Sequence, residues 1–169
     1  ERAKAAPALV WPERADRDHA QSATDATTTV RDLINTPTND MGPAELAAAV
    51  RKIGTAHGAT VSVITGNALL KQNYPTIHAV GRASANAPRL IDLRLGRAGA
   101  PKVSLVGKGV CFDTGGLDIK PAAGMLRMNK DLGGAAHVIG LAQMIMAAKL
   151  DVRLRVLISA GATSVAGNA

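Results

Sequence analysis

The stretch from Gly133 to Leu150, GGAAHVIGLAQMIMAAKL, constrains the fold more than any other part of the chain. It is apolar around most of its circumference, which predicts a buried helix rather than one lying on a surface. Its Gly-Gly-Ala-Ala opening carries no bulk, so its backbone can come close to whatever lies at the N-terminal end. VRLRVLISA at 152–160 then alternates as a strand, and KVSLVGKG reads as a strand upstream. Strand, buried helix and strand make a βαβ unit, with a glycine-rich segment between its first strand and its helix.

The rest of the chain keeps this alternation. From Asp18 to Ile34 the apolar positions Ala23, Ala26, Val30, Leu33 and Ile34 have helical spacing, and Pro37 stops that helix. Asp40 is expected to cap a second helix, with Pro43 in its first turn and the stripe Leu46, Ala49, Val50 and Ile53 leading to Gly54. ATVSVIT at 59–65 reads as a strand, followed by a short helical piece to Lys71. TIHAVGRAS and RLIDLRLG are expected to be two further strands. The pattern predicts an α/β fold, a mixed and mostly parallel sheet sandwiched by helices. Residues 1–25 are expected to be a linker or an interdomain helix, and 26–169 an incomplete catalytic domain. No initiating Met is present and the chain ends on SVAGNA, so it reads as an excised piece of a longer polypeptide.

Composition narrows the function classes. Aromatic residues are only 2% of the chain, so the core must be built from Ala, Val, Ile, Leu and Met, and the stacking platforms of single-strand nucleic-acid binders are missing. The formal charge of +7 comes from scattered residues such as Arg14, Arg17, Arg51, Lys52, Arg153 and Arg155, better explained as a solvated surface than as a nucleic-acid groove. Cys111, the lone cysteine, precludes an internal disulfide, fits a reducing compartment and lies in an apolar run as a buried spectator. No apolar run reaches membrane length. His19, His57, His78 and His137 show no metal-ligand spacing; His137 alone lies near the candidate site in sequence.

The chemistry is concentrated in VGKGVCFDTGGLDIKP, residues 106–121. Asp-Thr-Gly is the triplet of an aspartic protease, but that mechanism needs two carboxylates sharing a proton, and no second such triplet occurs. Gly-Lys-Gly at 107–109 lacks the remaining residues of a phosphate-binding loop. Lys108, Asp113, Lys120 and Asp131 all fall in or beside glycine-rich turns. Two carboxylates converging on one loop repel each other unless a cation is present, and a divalent metal supplies one. Two solvated ion pairs, Lys108 with Asp113 and Lys120 with Asp131, are the plainer alternative. Spacing does not decide between them.

VGKGVCFDTGGLDIKPAAGMLRMNKDLGGAAHVIG resembles the active-site signature of the leucyl aminopeptidase family, the two-metal cytosol aminopeptidases, and VRDLINTPTNDMGPAEL at 30–46 is similar to the segment that opens their catalytic domain. The resemblance implies a cytoplasmic, homohexameric, metal-dependent aminopeptidase that releases N-terminal residues, often leucine, by metal-hydroxide attack with two zinc or manganese ions. It makes Lys108, Asp113 and Asp131 metal ligands, with Lys108 and Asp131 also near the substrate's amino group. Lys120 becomes the catalytic ammonium that stabilises the oxyanion, and Met128 lines the pocket for the N-terminal side chain. Thr114 stands where Ser is commoner in the family, and Leu132 where Met is commoner. A second motif, Asn-Thr-Asp-Ala-Glu-Gly-Arg, does not occur in these residues, so ligands and the Arg for a bicarbonate base are missing and this chain is expected to be inactive alone. A non-catalytic scaffold or a DNA-binding relative is the alternative reading.

Overall fold

The computed structural model describes residue 8 and residues 10–165. In chain order these form α1 (Arg17–Asn35), α2 (Pro43–Ala56), β1 (Thr60–Thr65), the short α3 (Ala68–Lys71) and α4 (Pro75–Gly81), then β2 (Arg89–Leu95) and β3 (Lys102–Val110). The single turn α5 (Ala122–Met125) and a 3-10 turn (Met128–Leu132) follow, then α6 (Gly133–Ala147) and β4 (Arg153–Gly161). The sheet order is β1-β2-β4-β3.

The α/β class and the mixed sheet agree with the sequence, but parallel pairing is the minority. Only β3 and β4 run parallel, whereas β1–β2 and β2–β4 are antiparallel. A parallel return needs a crossover of roughly a dozen residues or more. The stretch from Gly96 to Pro101 is too short for one, so β3 runs opposite to β2. The connection carrying α6 is long enough, and it brings the chain back as β4 parallel to β3.

One sheet face holds the core. Ile91 and Leu93 of β2 and Leu154, Val156, Ile158 and Ala160 of β4 pack against Leu46 and Val50 of α2 and Ala135, Ala136, Ile139 and Ala142 of α6. α1 lies over α6, burying Ala26 and Leu33, so α6 is covered on both sides, as its apolar circumference requires. The close approach falls at Gly107 of β3, where a Cβ would stand 2.7 Å from Ala135 Cα and 3.0 Å from the Gly134 carbonyl oxygen. Small residues on both partners let the strand backbone press onto the start of the helix.

Two local expectations are overturned. Residues 76–81 of TIHAVGRAS, expected as a strand, belong instead to α4 on the other face of the sheet, against β2 and β4. Pro75 opens that helix, and Ile77 and Val80, three residues apart, share one of its faces, whereas in a strand they would point to opposite ones. α2 is capped by Gly42, not Asp40, because Pro43 takes the first helical position and the Glu45 carboxylate accepts from the Gly42 N–H at 3.1 Å. The Asp40 N–H donates instead to the Pro37 carbonyl at 2.8 Å. α1 runs without a break across residue 25, and residues 1–7, 9 and 166–169 lie outside the described residues.

On the face away from the main core, Asp92 accepts hydrogen bonds from the guanidinium groups of Arg94, at 2.7 Å, and Arg155, at 2.8 Å. Burial acts to raise its carboxyl, but the two arginines outweigh burial and hold it below the usual carboxylate range. A depressed folded-state value stabilises the fold above the unfolded value, about 3.9, and this contribution fades as pH falls through the folded value. Urea unfolding is therefore expected to show Asp92→Asn less stable than wild type at neutral pH, with the difference shrinking below about pH 4. Gly107→Ala is expected to cost about 1–3 kcal/mol in the same measurement, because α6 must move to admit the methyl group.

Candidate metal centre

The parallel pair carries the candidate residues to one end of the sheet. Lys108 stands near the end of β3, Asp113 in the loop just beyond it, Lys120 at the far side of that loop, and Asp131 in the 3-10 turn that runs directly into α6. Met128, half-buried, opens the same turn. Placing Asp131 beside a helix start suits a carboxylate, since the unpaired N–H groups there favour negative charge. Asn129 fixes the turn by donating to the Ile34 carbonyl at the end of α1, at 2.9 Å.

Both lysines are paired, but with partners exchanged relative to the pairs expected, Lys108 with Asp113 and Lys120 with Asp131. Lys108 Nζ straddles Asp131, 2.7 Å from Oδ1 and 2.6 Å from Oδ2. Lys120 Nζ lies 3.1 Å from Asp113 Oδ2. The loop between explains the exchange. Gly115 has φ +89°, and a Cβ on it would stand 2.2 Å from the Asp118 carbonyl oxygen, so only glycine fits. The fold-back lets the Lys120 N–H donate to the Thr114 carbonyl at 2.9 Å, which returns Lys120 to Asp113.

Asp113 is held from three sides. Its Oδ1 accepts from the Gly115 N–H at 2.9 Å and from the Thr163 hydroxyl at 3.1 Å, while Lys120 faces Oδ2. Burial pushes the carboxyl up, but the Gly115 N–H, Lys120 and Thr163 outweigh burial and hold it below the usual range. Thr163 was not legible as a partner, being 50 residues away; only the pairing of β3 with β4 brings it there.

The residues fit a cation. The Lys108 ammonium stands 2.6 Å from the buried Oδ2 of Asp131 and 2.7 Å from Oδ1, so this carboxylate already holds a cation between its two oxygens. An oxygen so placed accepts a metal ion readily. Among the described residues no three His, Cys, Asp or Glu side chains come together, so a donor set built here consists of two carboxylates and a lysine amine. His137 is turned back on its own helix, with Nδ1 2.7 Å from the Gly133 carbonyl oxygen. Cys111 is fully buried, and burial pushes its thiol up to about 12, as expected of a spectator.

The profile of the catalytic domain of the cytosol aminopeptidase family matches residues 28–169. The chain belongs to the cytosol aminopeptidase family. A probable cytosol aminopeptidase of Rhodococcus erythropolis is 46% identical over 135 residues, covering 79% of this chain and 26% of the relative. The crystal structure of the cytosol aminopeptidase from Coxiella burnetii superposes with a TM-score of 0.88 at 51% identity, covering 91% of this chain and 34% of that one. The bottromycin maturation enzyme BotP, solved in complex with Mn, superposes with a TM-score of 0.83 at 33% identity, over 91% of this chain and 34% of its own. The chain thus spans about a quarter to a third of the length of the cytosol aminopeptidases it matches. Both lysine–carboxylate pairs lie within the residues the family profile matches, and the loop between them depends on one glycine. Gly115→Ala is expected to lower stability by about 1–3 kcal/mol through strain at positive φ, and to release the Lys120 side chain, a loosening that a crystal structure of the variant would display.

Proposed function

We propose that this chain provides part of the active site of a metal-dependent aminopeptidase that releases N-terminal residues, often leucine, from peptides. The observation that carries the reading is the gathering of Lys108, Asp113, Lys120 and Asp131, as two lysine–carboxylate pairs, at one end of the β3–β4 pair in a cytosol aminopeptidase fold. Lys108, Asp113 and Asp131 would hold two divalent metals, zinc or manganese. When bound, the metals supply Lewis-acid activation of the scissile carbonyl and of the attacking water.

The remaining work falls to the chain itself. To ligate, Lys108 would release a proton to solvent and give up its contact with Asp131, leaving that carboxylate for the metal and for the substrate's free amino group. Asp113 is presented in a fixed orientation by its loop. Lys120 is not a ligand: its ammonium moves from Asp113 to the negative charge that develops on the carbonyl oxygen, and stabilises it there. Met128 lines the side-chain pocket. Bicarbonate would serve as a base beside an Arg that is not among these 169 residues. The assembled enzyme is proposed to be a cytoplasmic homohexamer; in keeping with this, no helix among the described residues is long and apolar enough to cross a membrane.

The second acidic motif of the family does not occur among these residues, so the chain alone is expected to bind one metal weakly and to turn over no leucine amide. Calorimetric titration with Mn²⁺ checks the first expectation, with Asp131→Asn and Asp113→Asn each abolishing the heat. A leucine-amide assay with added Mn²⁺ checks the second. Robust turnover abolished by Lys120→Ala would contradict the incomplete site.

A further inference from the structure

Beyond the last residues of β3 and β4, the parallel ladder continues into the two loops. The Cys111 N–H donates to the Gly161 carbonyl at 2.7 Å, and the Thr163 N–H donates to the Phe112 carbonyl at 3.0 Å. This alignment sets the Thr163 side chain against Asp113 and Thr114. Its Oγ1 lies 3.1 Å from Asp113 Oδ1, 2.7 Å from the Thr114 nitrogen and 3.0 Å from Thr114 Oγ1. Thr114 Oγ1 in turn accepts from the Gly116 N–H at 3.1 Å.

The directions of these bonds follow from the chemistry of the groups. An ionised carboxylate only accepts, so the single hydroxyl proton of Thr163 goes to Asp113. The Thr163 oxygen then accepts twice, from the Thr114 N–H and from the Thr114 hydroxyl. Thr114 spends its own proton there and accepts from Gly116. Every donor in the chain points towards Asp113 Oδ1, which also receives the Gly115 N–H. Two donors fill that oxygen, and Oδ2 is left for a cation, here the Lys120 ammonium.

We propose that Thr163 is a positioning residue for the metal site: its hydroxyl, with the Gly115 N–H, occupies Oδ1 of Asp113 and turns Oδ2 to the metal. The inference rests on the metal-binding reading given above. A hydroxyl is what the position requires, so serine serves in place of threonine and valine, of the same shape, does not. The same logic accounts for Thr114 standing where the family more often has Ser, since either hydroxyl can pass the donor direction on to Thr163.

The test is Mn²⁺ affinity, read from the electron paramagnetic resonance signal of free Mn²⁺ in titrations of the wild-type chain, T163V and T163S, with thermal unfolding of each metal-free protein alongside. T163V is expected to bind Mn²⁺ about 10-fold or more weakly, the usual scale for removing a hydrogen-bond partner of a ligand, while T163S stays within about 3-fold of wild type on the same scale. A merely structural role would lower the metal-free melting temperature of T163V and leave its affinity unchanged, and that result overturns the inference while leaving the metal reading intact. If T163V does not fold, Thr163→Ala against T163S is judged by the same criterion. A wild-type chain with no Mn²⁺ binding, unaffected by Asp113→Asn, overturns the metal reading and this inference with it.

Discussion

The contact between β3 and α6 governs the geometry of the site. Because Gly107 carries no side chain and α6 opens with small residues, strand and helix meet nearly backbone to backbone. That contact fixes the height of the α6 N-terminus on the sheet, and with it the 3-10 turn holding Asp131. The same crossover returns the chain as β4 parallel to β3, so their ends lie side by side, with Val110 opposite Gly161. Loops leaving two adjacent parallel strands at the same end are where an open α/β sheet places its chemistry.

Within that frame the electrostatics follow from two recessed carboxylates at one end of the sheet. Each must find a cation or be left with uncompensated charge, and a lysine from the same glycine-rich region answers for each. The pairing is crossed because the loop from Asp113 to Lys120 closes on itself, whereas Lys108, on the strand, faces the turn that follows. Asp92 meets the same need on the far face of the sheet with two arginines, and it keeps both of them. The difference is chemical: arginine stays charged and cannot become a ligand, while lysine can lose its proton.

Much of this was legible in sequence wherever a period ran long enough. The apolar circumference of 133–150 announced the buried helix, and the alternation of 152–160 announced β4. Short segments failed, because Thr76 to Val80 is too short for a period to establish itself, although the three-residue spacing of Ile77 and Val80 is the helical one. The cap of α2 was misplaced because a proline at 43 moved the helix start beyond the reach of Asp40. At the site, the four charged residues were visible as a set with a recognisable resemblance, but their partners were not. The return of Lys120 to Asp113 depends on a positive φ at Gly115, and the approach of Thr163 depends on strand pairing across 50 residues. The paired glycines at 115 and 116 announce a turn but not its closing contact, and the approach of Thr163 leaves no local signal.

The exposures of the paired groups give the site its working asymmetry. The side chain of Lys108 is 60% exposed and that of Lys120 32%, against 19% for Asp131 and 21% for Asp113. Both carboxylates are recessed, and Asp113 is held by a backbone and a hydroxyl donor as well, while the lysines reach in from solvent on flexible stems. A solvated ion pair of this kind is worth about 0–1 kcal/mol, so a lysine can leave its carboxylate at little cost. The hydrogen bonds to Asp113 are shorter in reach and better shielded, and they do not depend on either lysine. The anions therefore keep their places while the cations are exchanged. An arrangement of that kind stays folded before metal arrives, and it presents the same oxygen atoms to a metal as it does to an ammonium group.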